Sequence, residues 1–246
     1  EEYEQYEAPA SLAGVPVVAC GLHSQVGAVA TAFKHLAPGR LLAFVMTDSA
    51  ALPVALSDLV ALLRAKRLVD LTISAGQAFG GDLEAVNVRS ALDVAVAQGA
   101  HAVIVGPGPG TVGTGTAHGH GALEVATIAD LAESAGARPI LALRVSRSDP
   151  RPRHEGISHH SRSALSQVRA RTLVAFPRGR PAPTAPGQEI MEVDVPDLGP
   201  LLEAHGLRLT TMGRGVDEDP EFFAYAGAAG VAAATCCGQR DGSVVT

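Results

Sequence analysis

The sequence predicts a single three-layer α/β/α sandwich with a mainly parallel, Rossmann-like sheet. Three observations predict it. Short apolar runs rich in β-branched residues alternate with longer helix-type runs along most of the 246 residues. The short runs are apolar at nearly every position, as expected of strands covered on both faces. The chain is 47% hydrophobic but only 4% aromatic, with no Trp. Its core must therefore be built from Ala and Val, small enough for helices to lie close on a sheet.

Taken in order, residues 1–14 read as an acidic tail, the remnant of a missing upstream segment, and residues 15–246 as the α/β domain. The strand Val15–Cys20 leads to a helix Gln25–His35, and Leu41–Met46 to a helix Ala50–Lys66. Leu71–Ser74 is followed by a helix Asp82–Gln98, with Asp82 as its N-cap, and Asp48 or Ser49 caps the helix before it. Ala102–Val105 runs through a glycine-rich loop into a helix Ala122–Ala135. Ile140–Val145 precedes a helix Ser161–Ala170, and Thr172–Phe176 precedes a Pro-rich surface excursion, Pro177–Gln188. Ile190–Val193 and Arg208–Thr211 are weaker strands around a helix Leu198–Ala204. Pro220–Ala234 is a packed terminal helix. Alternating βα units imply right-handed crossovers, so the strands' carboxyl ends share one edge.

Composition narrows the function. A formal charge of -6 and a pI near 5.8 argue against nucleic acid as a partner. No run of uninterrupted apolar residues reaches the length of a membrane span. The three cysteines, Cys20, Cys236 and Cys237, fit no disulfide framework and read as reduced thiols, which predicts a cytoplasmic protein. The expected partner is a small anionic molecule, and a homo-oligomer is compatible with the composition.

The residues that bear chemistry fall at the predicted strand ends, where ligands bind in open α/β sheets. His23 and Ser24 follow the first strand, and Asp48 and Ser49 the second. Asp82 and Glu84 follow the third. The fourth opens into GPGPGTVGTGTAHGHG, which holds Gly108, Gly110, Thr111, Gly113, Thr114 and Thr116, then His118 and His120. Backbone N–H groups of such a loop can approach phosphate or carboxylate. Gly108-x-Gly110-x-x-Gly113 has the form of a dinucleotide fingerprint. It lies in the fourth βα unit, however, and the next strand ends in Ser146-Arg147 instead of an acid. A P-loop would need a Lys that is absent. The plain alternative is a tight loop that caps a helix.

Beyond the fifth strand come Arg147 and Arg151, suited to bidentate recognition of an anion. They are followed by His154, His159 and His160. Six of the nine histidines thus occupy strand-end loops. Neighbours such as His159 and His160 are expected to point apart. Asp48, Asp82, His159 and His160 are the acid–base candidates. Gly108, Gly110, Thr111, Gly113, Thr114, Thr116, Arg147, Arg151 and His23 would bind the anion. His118, His120 and Asp82 could hold a divalent metal. Ser24, Ser49 and Ser158 are candidate nucleophiles, but none lies in a GxSxG elbow.

Six blocks, in this order, resemble an uncharacterised bacterial family known as a domain of unknown function. They are Met46-Thr47-Asp48, GQAFGGDLEAV (76–86), GPGPGTVGTGT (106–116), LRVSRSDPR (143–151), RHEGISHHS (153–161) and TMGRGVDEDP (211–220). The likeness runs from about His23 to Tyr225. It implies a bacterial protein, and members with a further N-terminal segment, but supplies no catalytic roles. The functional expectation is an enzyme acting on a small anionic or phosphorylated metabolite, with hydrolase before transferase. The alternative is a non-catalytic nucleotide or metabolite sensor.

Overall fold

The computed structural model describes residues 11–240, with 51 and 111 excepted. In chain order its strands are β1 (Pro16–Cys20), β2 (Leu42–Thr47), β3 (Leu71–Ala75), β4 (Leu83–Ala85), β5 (Ala102–Pro107), β6 (Arg138–Ala142), β7 (Val145–Ser146), β8 (Gly156–Ile157), β9 (Leu173–Pro177) and β10 (Glu189–Val193). Its helices are α1 (His23–Leu36), α2 (Asp58–Ala65), α3 (Val88–Ala97), α4 (Glu124–Ser134), α5 (His159–Gln167), α6 (Leu198–Ala204) and α7 (Pro220–Arg240). Eight strands form one sheet in the order β10-β9-β6-β1-β5-β2-β3-β4, with every pairing parallel. β7 and β8 make a separate antiparallel pair. The fold is the α/β sandwich that the alternating pattern implies.

Strand periodicity divides the core in two. Val18, Cys20, Phe44, Met46, Ile104 and Ile140 face one layer, with α1, α2, α6 and α7. Val17, Ala19, Ala43, Val45, Val103 and Val105 face the other, with α3, α4 and α5. Small residues let these layers close. Gly230 of α7 lies against α1 so tightly that a Cβ would collide with the Val29 carbonyl. No helix among the described residues is long and apolar enough to cross a membrane.

This topology places a crevice. β1 and β5 are neighbours, yet α1 leaves β1 on one face while α4 leaves β5 on the other. Chain ends that part in this way leave a hollow beyond the carboxyl ends of the strands.

Several elements differ from expectation. Leu83–Ala85 is an edge strand on β3, not the start of a helix. Asp82 turns back to accept from the Thr72 N–H and hydroxyl, both at 2.8 Å. The helix α3 begins five residues beyond Leu83, where Asn87 accepts from the Ser90 N–H. The expected helix Ala50–Lys66 is broken at Pro53, and Ser57, not Asp48 or Ser49, caps α2. Arg208–Thr211 is no strand; Thr211 pairs only with Arg214, across a tight turn. The Pro-rich excursion is pinned to α7 by the Tyr225 hydroxyl, which donates to the Pro181 carbonyl at 3.0 Å. Leu12, inside the stretch set apart as a tail, is fully buried.

Candidate functional site

Two loops meet beyond the ends of β5, β1 and β6. The first is the glycine loop. It starts at Gly106, where a Cβ would sit 3.0 Å from Cys20 Cβ, so the two strand ends touch. It then runs out and folds back on itself. The Thr114 N–H donates to the Gly119 carbonyl at 2.7 Å and the Gly121 N–H to the Val112 carbonyl at 2.9 Å. The Thr114 and Thr116 hydroxyls lie 2.8 Å apart. A Cβ on Gly119 would collide with the Thr114 hydroxyl. The loop therefore spends these polar groups on its own closure, and what it delivers is His120, bridged to Gly113. Gly108 packs on Met46, and Gly110 takes a positive φ. Thr111 lies outside the described residues.

The second loop runs from β6 to α5. The Arg144 N–H donates to Ser161 Oγ at 2.8 Å, and the Ser158 N–H to the Arg144 carbonyl at 2.9 Å. Ser158 caps α5 through the His160 N–H and bonds His154 Nδ1 at 2.7 Å. His159 and His160 open α5, where successive side chains are about 100° apart. Their rings meet at 4.4 Å instead of pointing apart. His120 stacks on His160 at 4.1 Å and meets His159 edge-on at 5.3 Å. His154 approaches His159 at 4.9 Å and His160 at 5.0 Å. Four rings from two loops thus share one cluster.

Charge surrounds it. Arg144 Nη2 lies 3.1 Å from Asp149, and its Nη1 lies 3.3 Å from His160 Nδ1. Arg151 forks onto Asp149 with both bonds at 2.8 Å. Arg214 reaches Asp219 at 3.0 Å, and Ser146 donates to Asp219 at 2.7 Å. Three guanidiniums therefore face two carboxylates. Hydrogen bonds from Arg151, with the charges of Arg151 and Arg144, hold the Asp149 carboxyl far below the usual range. Burial, His120 and Arg144 push His160 down to about 3. Burial, Arg144 and Arg151 push His154 down to about 4. Burial also lowers His120 and His159. In all four rings the shift favours the neutral form.

Ring nitrogens are left over. His120 Nε2 lies 3.1 Å from the Ala117 carbonyl, while its Nδ1 is buried without a hydrogen-bond partner. Neither nitrogen of His159 makes a hydrogen bond of ordinary geometry, although the Arg153 backbone lies close enough to favour its protonated form. One ligand atom from each of His120, His159 and His160 lies within 4.8 Å of the others. Beneath His160 and Arg144 is a cavity of about 20 Å³, bounded by Gly21, Gln25 and Ala122, with room for about one water.

The other anticipated residues lie elsewhere. Asp82 is a correction: it sits beside Thr72 near the amino end of β3 and pairs with Arg64 at 2.9 Å. That is the opposite edge from the histidines, and β3 is four strand spacings, roughly 19 Å, from β6. His118 is exposed, so His118, His120 and Asp82 form no common set. His120 joins His159 and His160 instead. Asp48 is at the carboxyl edge but accepts from the Gln77 N–H at 3.1 Å, packed on Gly76. His23 ties β5 to α2: its Nδ1 lies 2.9 Å from the Pro107 carbonyl and its Nε2 2.6 Å from Ser57 Oγ. It lines a separate cleft of about 400 Å³ with Ser24, Gly110 and Thr211. Arg147 is 66% exposed and shares Glu221 with Arg180 of the Pro-rich segment. Sequence reasoning preferred Arg147 and Arg151 to Arg144, and gave Asp149 and Asp219 no role in this site. For all three, their positions in the blocks LRVSRSDPR and TMGRGVDEDP were the available signal.

Comparison with curated proteins and with solved structures finds no match. A family model does match, over residues 1–230. The chain belongs to that family, described as "Protein of unknown function (DUF3866)".

Proposed function

We propose that the protein is an enzyme acting on a small anionic molecule, a phosphorylated metabolite first, at the carboxyl edge of its sheet. Hydrolysis is the first reaction class and group transfer the second. The observation that carries this is the convergence of His120, His154, His159 and His160 from two loops, with ring separations of 4.1–5.3 Å. A neutral imidazole takes a proton from water or a hydroxyl at neutral pH. The guanidiniums that disfavour charge on His154 and His160 also attract an anion. His159 is half-buried while the other three residues are buried, so it is the member of the cluster nearest solvent, with its two ring nitrogens covered. A sensor would need the positive field but not four touching neutral imidazoles.

The test is a panel of phosphomonoesters, nucleotides and carboxylate esters, read by thermal shift and by turnover. At least one member is expected to raise the melting temperature and to be consumed. His159→Gln should lose turnover by ~100-fold or more while retaining thermal stabilisation. Stabilisation without turnover would favour the sensor. No stabilisation and no turnover across the panel would contradict both.

A further inference from the structure

Proton transfer alone leaves part of the histidine cluster unexplained. The His120 Nε2–H donates to the Ala117 carbonyl at 3.1 Å, so the ring's lone pair is on Nδ1. That lone pair is buried in a residue 7% exposed and has no partner. Next to it are the two nitrogens of His159, neither of which makes a hydrogen bond of ordinary geometry. An unpaired buried acceptor costs free energy unless something fills it.

We infer that His120, His159 and His160 bind a divalent transition-metal ion of the zinc class, leaving a fourth position for an anionic ligand. The inference rests on the enzyme reading above only for the identity of that anion. Three imidazoles with no carboxylate select zinc, cobalt, nickel or copper over magnesium or calcium. Zinc–nitrogen bonds of about 2.0–2.1 Å put tetrahedral ligand atoms roughly 3.4 Å apart. The present set, within 4.8 Å, reaches that by small ring rotations. The Ala117 carbonyl is the kind of second partner that orients a ligating imidazole. His160 ligates through Nε2, on the ring edge away from Arg144, and its proton moves to Nδ1. The 3.3 Å contact from Arg144 then opens, and Arg144 keeps Asp149.

The surroundings decide the fourth ligand. Three neutral imidazoles leave both charges of the ion uncompensated, beside Arg144 and Arg151. Asp149 is already held by both arginines. A carboxylate or phosphate oxygen of the substrate supplies the missing negative charge, which matches a metal site with three protein ligands and one open position.

The experiment uses the untagged full chain, stripped with chelator and titrated with cobalt(II) alone. The expected result is one ion per chain with the intense visible absorption of tetrahedral cobalt. His159→Ala and His120→Ala should each weaken binding at least ~100-fold, while exposed His118→Ala should not. Circular dichroism of each variant reports whether it is folded. His159, the least buried of the three, is the deciding variant should His120→Ala fail to fold. Absent absorption, or cobalt binding unchanged in folded His159→Ala, would overturn the inference. Turnover lost in His159→Ala without cobalt binding by the native chain would overturn it too, and leave the acid–base reading standing. Stoichiometric cobalt without turnover of any substrate would uphold the metal site and remove the enzyme.

Discussion

His154 and His160 show how burial and charge act on single groups. Both have proton affinities well below that of free imidazole, at about 4 and about 3. A lowered pKa in a basic group means that the folded state resists a proton which the unfolded chain accepts near pH 6.5. The stability tied to neutrality is therefore complete above about pH 6.5 and is lost as pH falls towards the folded values. In metal-free protein, unfolding free energy should fall by about 1.4 kcal/mol per pH unit for each such ring between pH 6 and 5. Urea unfolding at stepped pH measures this, and His154→Gln should reduce the slope. A flat profile between pH 7 and 5 would mean that these rings are not held neutral. Asp149 acts in a lower window. Its carboxyl is depressed by Arg151 and Arg144, so its contribution is present above about pH 4 and fades below that.

At the level of elements, the close approach of α1 and α7 is what an Ala-rich, Trp-free chain can build. Gly230→Ala places a methyl group against the Val29 backbone carbonyl, which cannot rotate away. It should cost about 1–3 kcal/mol, seen as a lower urea midpoint with unchanged slope. Gly39→Ala, with open space around it, should stay within about 0.5 kcal/mol. Equal effects would mean that the helix contact is looser than described. Strands such as Leu42–Thr47 and Ala102–Pro107 were legible because burial on both faces demands apolar residues at every position. β4 was not. Its three residues carry no strand pattern, and Asp82 before them looks like an N-cap although it is turned onto Thr72. His159 and His160 were legible as residue types at a strand-end loop. Their contact was not, because it depends on α5 starting at His159, two residues before the expected Ser161. The anion role read into Thr114 and Thr116 came from composition, whereas their hydroxyls close the loop.

For the molecule as a whole, strand order sets where chemistry gathers. β5 lies between β1 and β2, and the helices after β1 and β5 part to opposite faces. The glycine loop and the RHEGISHHS segment are thereby brought over the same strand ends from separate parts of the chain. The sequence alone gave no strand order, so carboxylates on the far edge, Asp82 above all, could not be separated from residues beside the histidines. The central claim is that ligands are received at His120, His154, His159 and His160. The most direct test is NMR of the nine histidine rings in the native protein, with resonances assigned by substitution and followed as stabilising anionic metabolites are added. Signals of these four should move together, while those of exposed His35 and His118 stay in place. Movement at His35 or His205 with the four cluster rings unchanged would contradict the account.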